Sequence, residues 1–346
     1  MRLSDLAKSM SDAHSNSAAT SDSACLILTI QILDTMEGEN MSFPSMFVLL
    51  GFSDYPWLER PLFGVVLAFY ILTMVGNIFI ILLTIVDLRL HTPMYFFLDN
   101  LSLQDLCIAT TILPQLLANL WGPKKTIASW GCITQAYFFH WIGCTECVLL
   151  TVMAFDRYLA ICRPLQYTLT MHPQVCMQLA VSAWCSGLAN SLLQGTLTIQ
   201  LHHCGHHILD HFFCELPVLI KLACEDTTVN DLTLVAGAIP FVLLAPLLVL
   251  ISYTFIARAV LKLPSAEGRR KAFSTCSSHM VVVIMYYGPS IYVYLQPPAN
   301  STQAKFTSFL YCLITPLLNP LIYTLRNKDV NRALKRLLQS EKGDKS

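Results

Sequence analysis

Two acidic side chains lie deep inside long apolar stretches of this sequence. Asp105 and Glu146 are flanked on both sides by runs without Lys or Arg. An acid in the middle of a membrane helix costs about 2.5–3.5 kcal/mol on insertion scales, so such residues point to function. The two carboxylates predict either a shared proton or a bound monovalent cation, for which Na⁺ is the candidate. One protonated acid hydrogen-bonded between helices is the alternative. Asn77 and Asn319 are expected in the same cluster, which places the cation at Asp105, Glu146 and Asn319.

Two apolar stretches end in distinctive polar motifs. One ends in Asp156-Arg157-Tyr158, and the last ends in Asn319-Pro320-Leu321-Ile322-Tyr323. An acid–base pair at a helix end can be a simple membrane anchor. Pro320 removes a backbone hydrogen bond and kinks its helix. Each motif alone is weak, but the two together, at the ends of the third and seventh stretches, are a strong signal.

A polar segment between the fourth and fifth stretches is rich in His and Cys. Imidazoles beside thiolates suit copper or zinc, and the candidate ligands are His206, His207 and His211. Oxidised cysteines cannot ligate a metal, however, and the histidines would then form a solvated loop face. Both interpretations stay open.

The elements that must position these residues are membrane helices. The chain has 346 residues, of which 54% are hydrophobic and only 13% charged, whereas soluble domains carry about 25% charged residues. Its formal net charge is zero, which excludes nucleic-acid binding on composition. About 20 apolar residues span a bilayer as a helix, and continuous rather than alternating runs exclude a β-barrel. Seven spans are predicted, at 62–86, 94–120, 132–161, 176–199, 232–257, 273–295 and 306–325.

The termini and connections give the orientation. Most basic residues fall in the segments that are inside if the N-terminus is outside, which favours that topology. Residues 1–35 are expected to be a disordered extension, and Met36 is hypothesised as the physiological start. Residues 36–61 are then an extracellular segment and 62–326 the helical domain. Residues 327–346 are expected to form a cytoplasmic amphipathic helix and tail, so the predicted fold class is an all-α seven-helix membrane bundle.

With these motifs the chain resembles the rhodopsin-like G-protein-coupled receptors, and more closely the olfactory receptors, over about 40–338. Asp99 departs from the family, which usually has a small polar residue there. Five blocks carry the resemblance, namely LHTPMYFFL at 90–98, MAFDRYLAIC at 153–162, Ser252-Tyr253, KAFSTCSSH at 271–279, and 316–327.

The resemblance implies roles for individual residues. Arg157 is held by Asp156 at rest and turns toward a G protein when span six moves outward. The whole switch set is Asp156, Arg157, Tyr158, Tyr253, Asn319, Pro320 and Tyr323. The four extracellular cysteines allow three pairings, and the resemblance favours Cys132–Cys214 and Cys204–Cys224. It also places a glycan on Asn40, within Asn40-Met41-Ser42.

The resemblance further places a ligand pocket between the outer halves of spans three, five, six and seven. A largely apolar wall suits a small volatile molecule, and the lack of an acid at the outer end disfavours an amine. Tyr287, next to Gly288 and Pro289, is the expected link between ligand and movement. The candidate lining residues are Phe139, His140, Gly143, Cys144, Cys147, Leu234, Gly237, Ala238, Phe241, Tyr287, Ser290, Ile291, Tyr294, Phe309 and Cys312.

The resulting prediction is an odorant receptor that activates a stimulatory, olfactory-type G protein and raises cAMP. Its expected location is the plasma membrane, in the cilia of olfactory sensory neurons, and no cofactor is required. One alternative is a receptor for another small non-amine ligand. Another is an ion or proton transporter using Asp105 and Glu146, which the lack of internal repeats disfavours. An enzyme is not expected, because no nucleophile, base and orienting group are clustered.

Overall fold

The long apolar segments form membrane-length helices in the computed structural model. The structure describes residues 44–262, 264–295 and 301–325, together with Val330, Arg332 and Arg336; a few side chains within the last two helices also fall outside it. The extension predicted at 1–35, the sequon at Asn40 and most of the helix predicted at 327–346 therefore lie outside the described residues.

The helices make up seven consecutive spans. Spans one, two and three are α1, α2 and α3; span four is α5; spans six and seven are α9 and α10. Span five is continuous from α7 to α8 through a π-helical turn, Ile239–Leu244. In chain order the helices are α1 (Pro56–Val86), α2 (Pro93–Trp121), α3 (Ser129–Cys162), α4 (Pro164–Thr170), α5 (Pro173–Ile199), α6 (Leu216–Leu222), α7 (Thr228–Ala238), α8 (Ala245–Leu261), α9 (Ala266–Leu295) and α10 (Ser301–Leu325).

Five of these spans are apolar enough to cross a membrane by length and composition alone. Spans four and six are more polar, and in span four the polar side chains are turned inward. Ser191, Gln194 and Thr198 of α5 are all buried. Ser191 donates to the carbonyl of Tyr137 in α3 at 2.7 Å. The hydroxyl thereby gains an acceptor inside the protein, which lipid tails would not provide. The predicted all-α seven-span bundle is confirmed.

Small residues allow span four to approach span three closely. A Cβ atom added to Gly187 would lie 2.3 Å from Oγ1 of Thr145, and one added to Gly195 would lie 2.3 Å from the ring of Tyr137. In lipid, helix association depends on such close packing because apolar burial gives no net driving force between helices. These two glycines therefore set the distance and rotation of span four against span three.

A small sheet on the outer side was not anticipated from the sequence. Its strands are β1 (Met46–Leu49), β2 (Thr126–Ala128) and β3 (Ile208–Leu209), in the order β2-β1-β3. β1 runs antiparallel to β2 and parallel to β3, with Phe47 opposite Ile127. Phe47 is fully buried. The sheet thus ties the outer N-terminal segment to the first and second outer loops.

Candidate functional site

The two deep acids lie in one buried polar centre. Nδ2 of Asn319 in span seven donates to both carboxylate oxygens of Asp105 in span two, at 3.1 Å each. The same amide faces Glu146 of span three. Asp105, Glu146 and Asn319 are each at most 3% exposed. The structure therefore brings together the three residues predicted as a cation site.

Asn77, next to this centre, supports the proline kink of span seven. Pro320 lacks the N–H that a regular helix would offer to the carbonyl of Pro316. Nδ2 of Asn77 in span one supplies the missing donor at 3.0 Å. Gly76 allows the close approach, because a Cβ atom there would lie 3.1 Å from the ring of Pro320. Span one thus holds the kink of span seven in place.

Some buried polar atoms of this region have no hydrogen-bond partner among the described residues. They are Oε1 of Glu146, both amide atoms of Gln104, and Oδ1 of Asn77. Such groups are costly when buried. Glu146 Oε1 is the one that belongs to the acid cluster, so it is the atom most suited to a proton or a cation.

The inner end of span three holds the Asp-Arg pair in a closed arrangement. Arg157 donates to Oδ2 of Asp156 through Nη2 at 2.7 Å and through Nε at 3.0 Å. The hydroxyl of Tyr167, in α4, donates to Oδ1 of the same carboxylate at 2.8 Å. Burial, with the charge of Asp156 second, raises the pKa of Tyr167 above its ordinary value, so the phenol stays a donor. Both oxygens of Asp156 are thereby occupied.

Spans five and six meet near that pair. The Tyr253 hydroxyl lies 2.9 Å from Nδ1 of His279 and donates to the carbonyl of Cys276 at 3.3 Å. The rings of Tyr253 and His279 are stacked, with centroids 5.7 Å apart. These contacts hold the inner end of span six against span five. Tyr323, the last predicted switch residue, has a side chain outside the described part.

A further inner contact joins the predicted C-terminal helix to the end of span one. Nη2 of Arg336 donates to Oδ2 of Asp87 at 2.5 Å. This hydrogen bond lowers the pKa of Asp87 below its ordinary value. The carboxylate also accepts from the backbone N–H of Arg89 at 3.1 Å.

A cavity of about 50 Å³ lies between spans three, five, six and seven. Eight of the predicted pocket residues line it. Val242, Tyr286 and Tyr311 also line it and were not foreseen from the sequence. The complete lining is Phe139, His140, Gly143, Cys144, Cys147, Ala238, Phe241, Val242, Tyr286, Ser290 and Tyr311.

Other pocket candidates do not line this cavity, namely Leu234, Gly237, Tyr287, Ile291, Phe309 and Cys312. Gly237 faces span four, since a Cβ atom there would lie 2.4 Å from the side chain of Gln194. Tyr287 is engaged with span three instead. The side chain of Tyr294 lies outside the described residues.

His140 is held by a neighbouring helix. Its Nε2 lies 3.0 Å from Nδ2 of Asn190 in span four and 3.7 Å from Sγ of Cys144. Asn190 also donates to Cys144 Sγ at 3.3 Å. The imidazole is therefore oriented by span four on one edge of the cavity.

Two adjacent tyrosines of span six bond to span three. The Tyr286 hydroxyl donates to the carbonyl of Gly143 at 2.5 Å, and the Tyr287 hydroxyl donates to the carbonyl of Cys147 at 2.8 Å. The two acceptors are one helical turn apart. Gly288 and Pro289 follow directly, so the hydrogen bonds lie just before the point where Pro289 removes a backbone hydrogen bond from the helix.

The outer loop lies over this cavity and is fixed by two disulfides. Cys132 is joined to Cys214, and Cys204 to Cys224. Phe213 packs on Phe139, with ring centroids 4.9 Å apart. The pairing is the one that the family resemblance implied.

The histidines of that loop point in different directions. His206 and His207 are exposed, with Nδ1 of each near a backbone carbonyl. His211 is buried, and its Nε2 lies 3.4 Å from Glu215. In the part of the chain that the structure describes, no three His, Cys, Asp or Glu side chains are grouped as a metal site requires. The structure does not bring the predicted copper or zinc ligands together.

Seven spans with an Asp-Arg pair closing the third and a polar centre between spans two, three and seven define a rhodopsin-like G-protein-coupled receptor. The olfactory receptor family model matches residues 66–342. Human olfactory receptor 2C3 is 54% identical over 88% of this chain and 95% of its own length. Mouse olfactory receptor 2C1 is 55% identical over 89% of this chain and 99% of its own. The chain belongs to the olfactory receptor family.

The family and the apolar helices make the protein a multi-pass plasma-membrane receptor for odorants that couples to a G protein. It is not an enzyme, and the family assignment favours the receptor prediction over the transporter alternative.

Proposed function

We propose that this receptor binds a small, largely apolar odorant in the cavity between spans three, five, six and seven. We propose that it then activates a stimulatory, olfactory-type G protein and raises cAMP, in the ciliary membrane of olfactory sensory neurons. The observation that carries the proposal is the position of the cavity. It lies against the tyrosine that bonds span six to span three, just before the Gly288-Pro289 hinge.

The composition of the cavity supports an odorant ligand. Aromatic rings and small side chains form most of the wall, with a few convergent polar groups, which is the usual make-up of a small-molecule site. A volatile molecule would bind mainly through burial of its apolar surface, at about 25 cal/mol per Å². Asn190 and Cys144 both contact Nε2 of His140 and hold the imidazole at the edge of the site.

The size of the cavity supports a mechanism in which binding shifts a conformational equilibrium. A volume of about 50 Å³ is far below the roughly 150 Å³ of a cavity that takes up benzene. Binding therefore requires a wall to move. A ligand shifts the receptor only as far as it binds the opened arrangement more tightly than the closed one.

Contacts at the inner end of the helix bundle stabilise the resting arrangement in this equilibrium. The Asp156–Arg157 pair and the Tyr253–His279 contact are both made in the present arrangement. Outward movement of span six would separate Tyr253 from His279 and expose Arg157. Arg suits this role because its guanidinium stays charged and can exchange a carboxylate for other acceptors.

Filling the cavity tests its location. Gly143 lines the cavity, and the nearest atom to a Cβ added there is the Tyr286 hydroxyl, at 3.8 Å. Gly143→Val should therefore fold but raise the odorant concentration needed for half-maximal cAMP at least tenfold. Gly64→Val, where a Cβ meets nothing within 4 Å, is the matched control. Cells with the stimulatory G protein would be screened with a diverse odorant panel at equal surface expression. An unchanged response of Gly143→Val would place the ligand elsewhere.

We also propose that Asp105, Glu146 and Asn319 hold a Na⁺ ion in the resting receptor. Support comes from two buried carboxylates beside Asn319, whose amide donates to both oxygens of Asp105, and from Oε1 of Glu146, which has no hydrogen-bond partner among the described residues. Like charges this close require a cation or a proton. Na⁺ in place of N-methylglucamine should raise the melting temperature of the wild-type receptor and leave Glu146→Gln unchanged. Equal melting temperatures of the wild type in both salts would favour the shared proton.

A further inference from the structure

The Tyr286 hydroxyl is a buried hydrogen-bond donor on the cavity wall. The side chain is 2% exposed, and its hydroxyl bonds to the Gly143 carbonyl at 2.5 Å. The thiol of Cys147 donates to the same hydroxyl, with sulfur and oxygen 3.5 Å apart. Span three therefore supplies both a donor to this hydroxyl and the carbonyl that accepts its proton.

That backbone carbonyl does not depend on Tyr286. Gly143 lies inside α3, where the N–H of Cys147 donates to its carbonyl as in any α-helix. The carbonyl keeps this bond if the phenol leaves. The phenol, by contrast, cannot lose its acceptor without cost, because a buried unpaired donor is strongly unfavourable. Loss of this hydrogen bond therefore costs the Gly143 carbonyl little, whereas the Tyr286 hydroxyl needs a new acceptor.

Tyr311 packs edge-on against Tyr286, and Ser290 and His140, two further polar side chains of the cavity, are bound within the protein. Ser290 donates its hydroxyl to the Tyr286 carbonyl at 2.8 Å, one turn back in the same helix. His140 is held by Asn190 at 3.0 Å. The Ser290 bond stays within span six and the His140 bond joins span three to span four, so neither links span six to span three as the Tyr286 bond does.

We propose that Tyr286 is the specificity-determining residue of the pocket and selects odorants with a carbonyl oxygen, such as ketones and aldehydes, which take its hydrogen bond from Gly143. The proposal rests on the proposed pocket. The exchange removes one of the two hydrogen bonds that the adjacent tyrosines make between spans six and three. Recognition of the carbonyl and loosening of span six are then the same event.

Tyr287 provides a matched control in the same helix. Its hydroxyl donates to the Cys147 carbonyl at 2.8 Å and also joins spans six and three. The residue is as buried as Tyr286 but does not line the cavity. Tyr286→Phe and Tyr287→Phe each remove one hydroxyl and keep the ring, so both variants should fold alike. Only Tyr286→Phe should alter ligand preference.

The test compares pairs of ligands that differ only in the carbonyl oxygen. The probes are acetophenone with α-methylstyrene, 2-octanone with 2-methyl-1-octene, and octanal with 1-nonene. Binding would be measured on purified receptor in lipid nanodiscs, without a G protein. The wild type and Tyr287→Phe should prefer the carbonyl compounds about tenfold. In Tyr286→Phe the preference should fall below about threefold, and ligand-free signalling per receptor at the cell surface should rise several-fold.

Several outcomes would overturn the proposal. They are equal binding of both members of each pair to the wild type, no binding of any carbonyl probe, a preference that survives in Tyr286→Phe, and an equal loss in both variants. Unchanged ligand-free signalling in Tyr286→Phe would contradict the coupling to span six. Intact binding and carbonyl preference without cAMP would instead contradict only the proposed stimulatory G protein.

Discussion

Asn319 donates its side-chain amide to both carboxylate oxygens of Asp105, so spans seven and two share a hydrogen-bonded pair in the middle of the membrane. Asn319 directly precedes Pro320. Because Pro320 has no N–H, the carbonyl of Pro316 lacks its helical donor, and Asn77 of span one donates to it instead. The kink of span seven is thus held from two sides. The pair also fixes the orientation of the acid that faces Glu146.

Asn319→Leu should destabilise the receptor because Asp105 loses the donor to both oxygens while staying buried. We expect a loss of about 1–3 kcal/mol in unfolding free energy, measured by thermal denaturation of purified receptor. The exchange variant Asp105→Asn with Asn319→Asp restores an acid–amide pair and should recover most of that loss. An Asn319→Leu receptor as stable as wild type would show that the pair contributes nothing.

Tyr167→Phe should raise ligand-free signalling. The substitution removes one of the hydrogen bonds on Asp156 and leaves the bonds from Arg157 in place. A hydrogen bond to a charged group contributes at least about 1.5 kcal/mol, which corresponds to roughly a tenfold shift of the resting equilibrium. Basal cAMP normalised to surface receptor is the measurement. Tyr55→Phe, on the outer segment, is the control, and equal basal activity of both variants would contradict the prediction.

Gly187→Ala should weaken the packing of span four on span three. The added methyl would lie 2.3 Å from Thr145 Oγ1 and 2.8 Å from the carbonyl oxygen of Trp141. Overpacking of this kind costs about 1–3 kcal/mol. Gly64→Ala adds a methyl where nothing lies within 4 Å, so it should leave the melting temperature unchanged or slightly higher. The prediction fails if the two variants have the same melting temperature.

The two disulfides should differ in their contribution to stability. Cys132 and Cys214 are 82 residues apart in sequence, and Cys204 and Cys224 are 20 apart. In the chain-entropy model these closures contribute about 4.5 and about 3 kcal/mol respectively. Replacing both cysteines of a pair by Ser should therefore reduce surface expression and melting temperature more for Cys132–Cys214. The reverse order would show that loop entropy does not decide the effect.

The second outer loop should lose stability on acidification through His203. Burial lowers the pKa of His203 below its ordinary value of 6.5. The unfolded loop therefore binds more protons than the folded loop at a pH below about 6.5, and stability falls as pH drops through that range. Glu225 and His202 are the ionisable side chains beside it. The protection of the loop amides, taken from the exchange rate relative to the intrinsic rate at each pH, should fall between pH 7.5 and 5.5. His203→Gln should flatten this dependence, while His207→Gln should keep it.

Much of the architecture could be predicted from the sequence. Long uncharged runs predict membrane helices because an unpaired backbone is too costly in lipid. Asp105, Glu146 and Asn319 could be grouped because a deep polar residue needs a polar partner. The small sheet of β1, β2 and β3 could not be foreseen, since strands of two to four residues leave almost no periodic signal.

The pocket shows where prediction from sequence stops. Tyr286 and Tyr287 are adjacent, and side chains one residue apart on a helix point about 100° apart. The sequence does not specify the rotation of span six, so it could not decide which phenol lines the cavity. Gly237 was predicted to face the ligand. It lies instead against span four, beside the side chains of Asn190 and Gln194.

The sequence by itself determined the seven spans, the Asp156-Arg157 motif and the family, because hydrophobic length and local motifs need no knowledge of contacts. Only the tertiary structure decided that Tyr286, rather than Tyr287, meets the cavity, and that Asn77 supports the kink at Pro320. The physical reason is that helix rotation in a bilayer is set by close packing and by hydrogen bonds between distant spans. Those contacts join residues hundreds of positions apart, such as Asn77 and Pro316, and no local pattern encodes them.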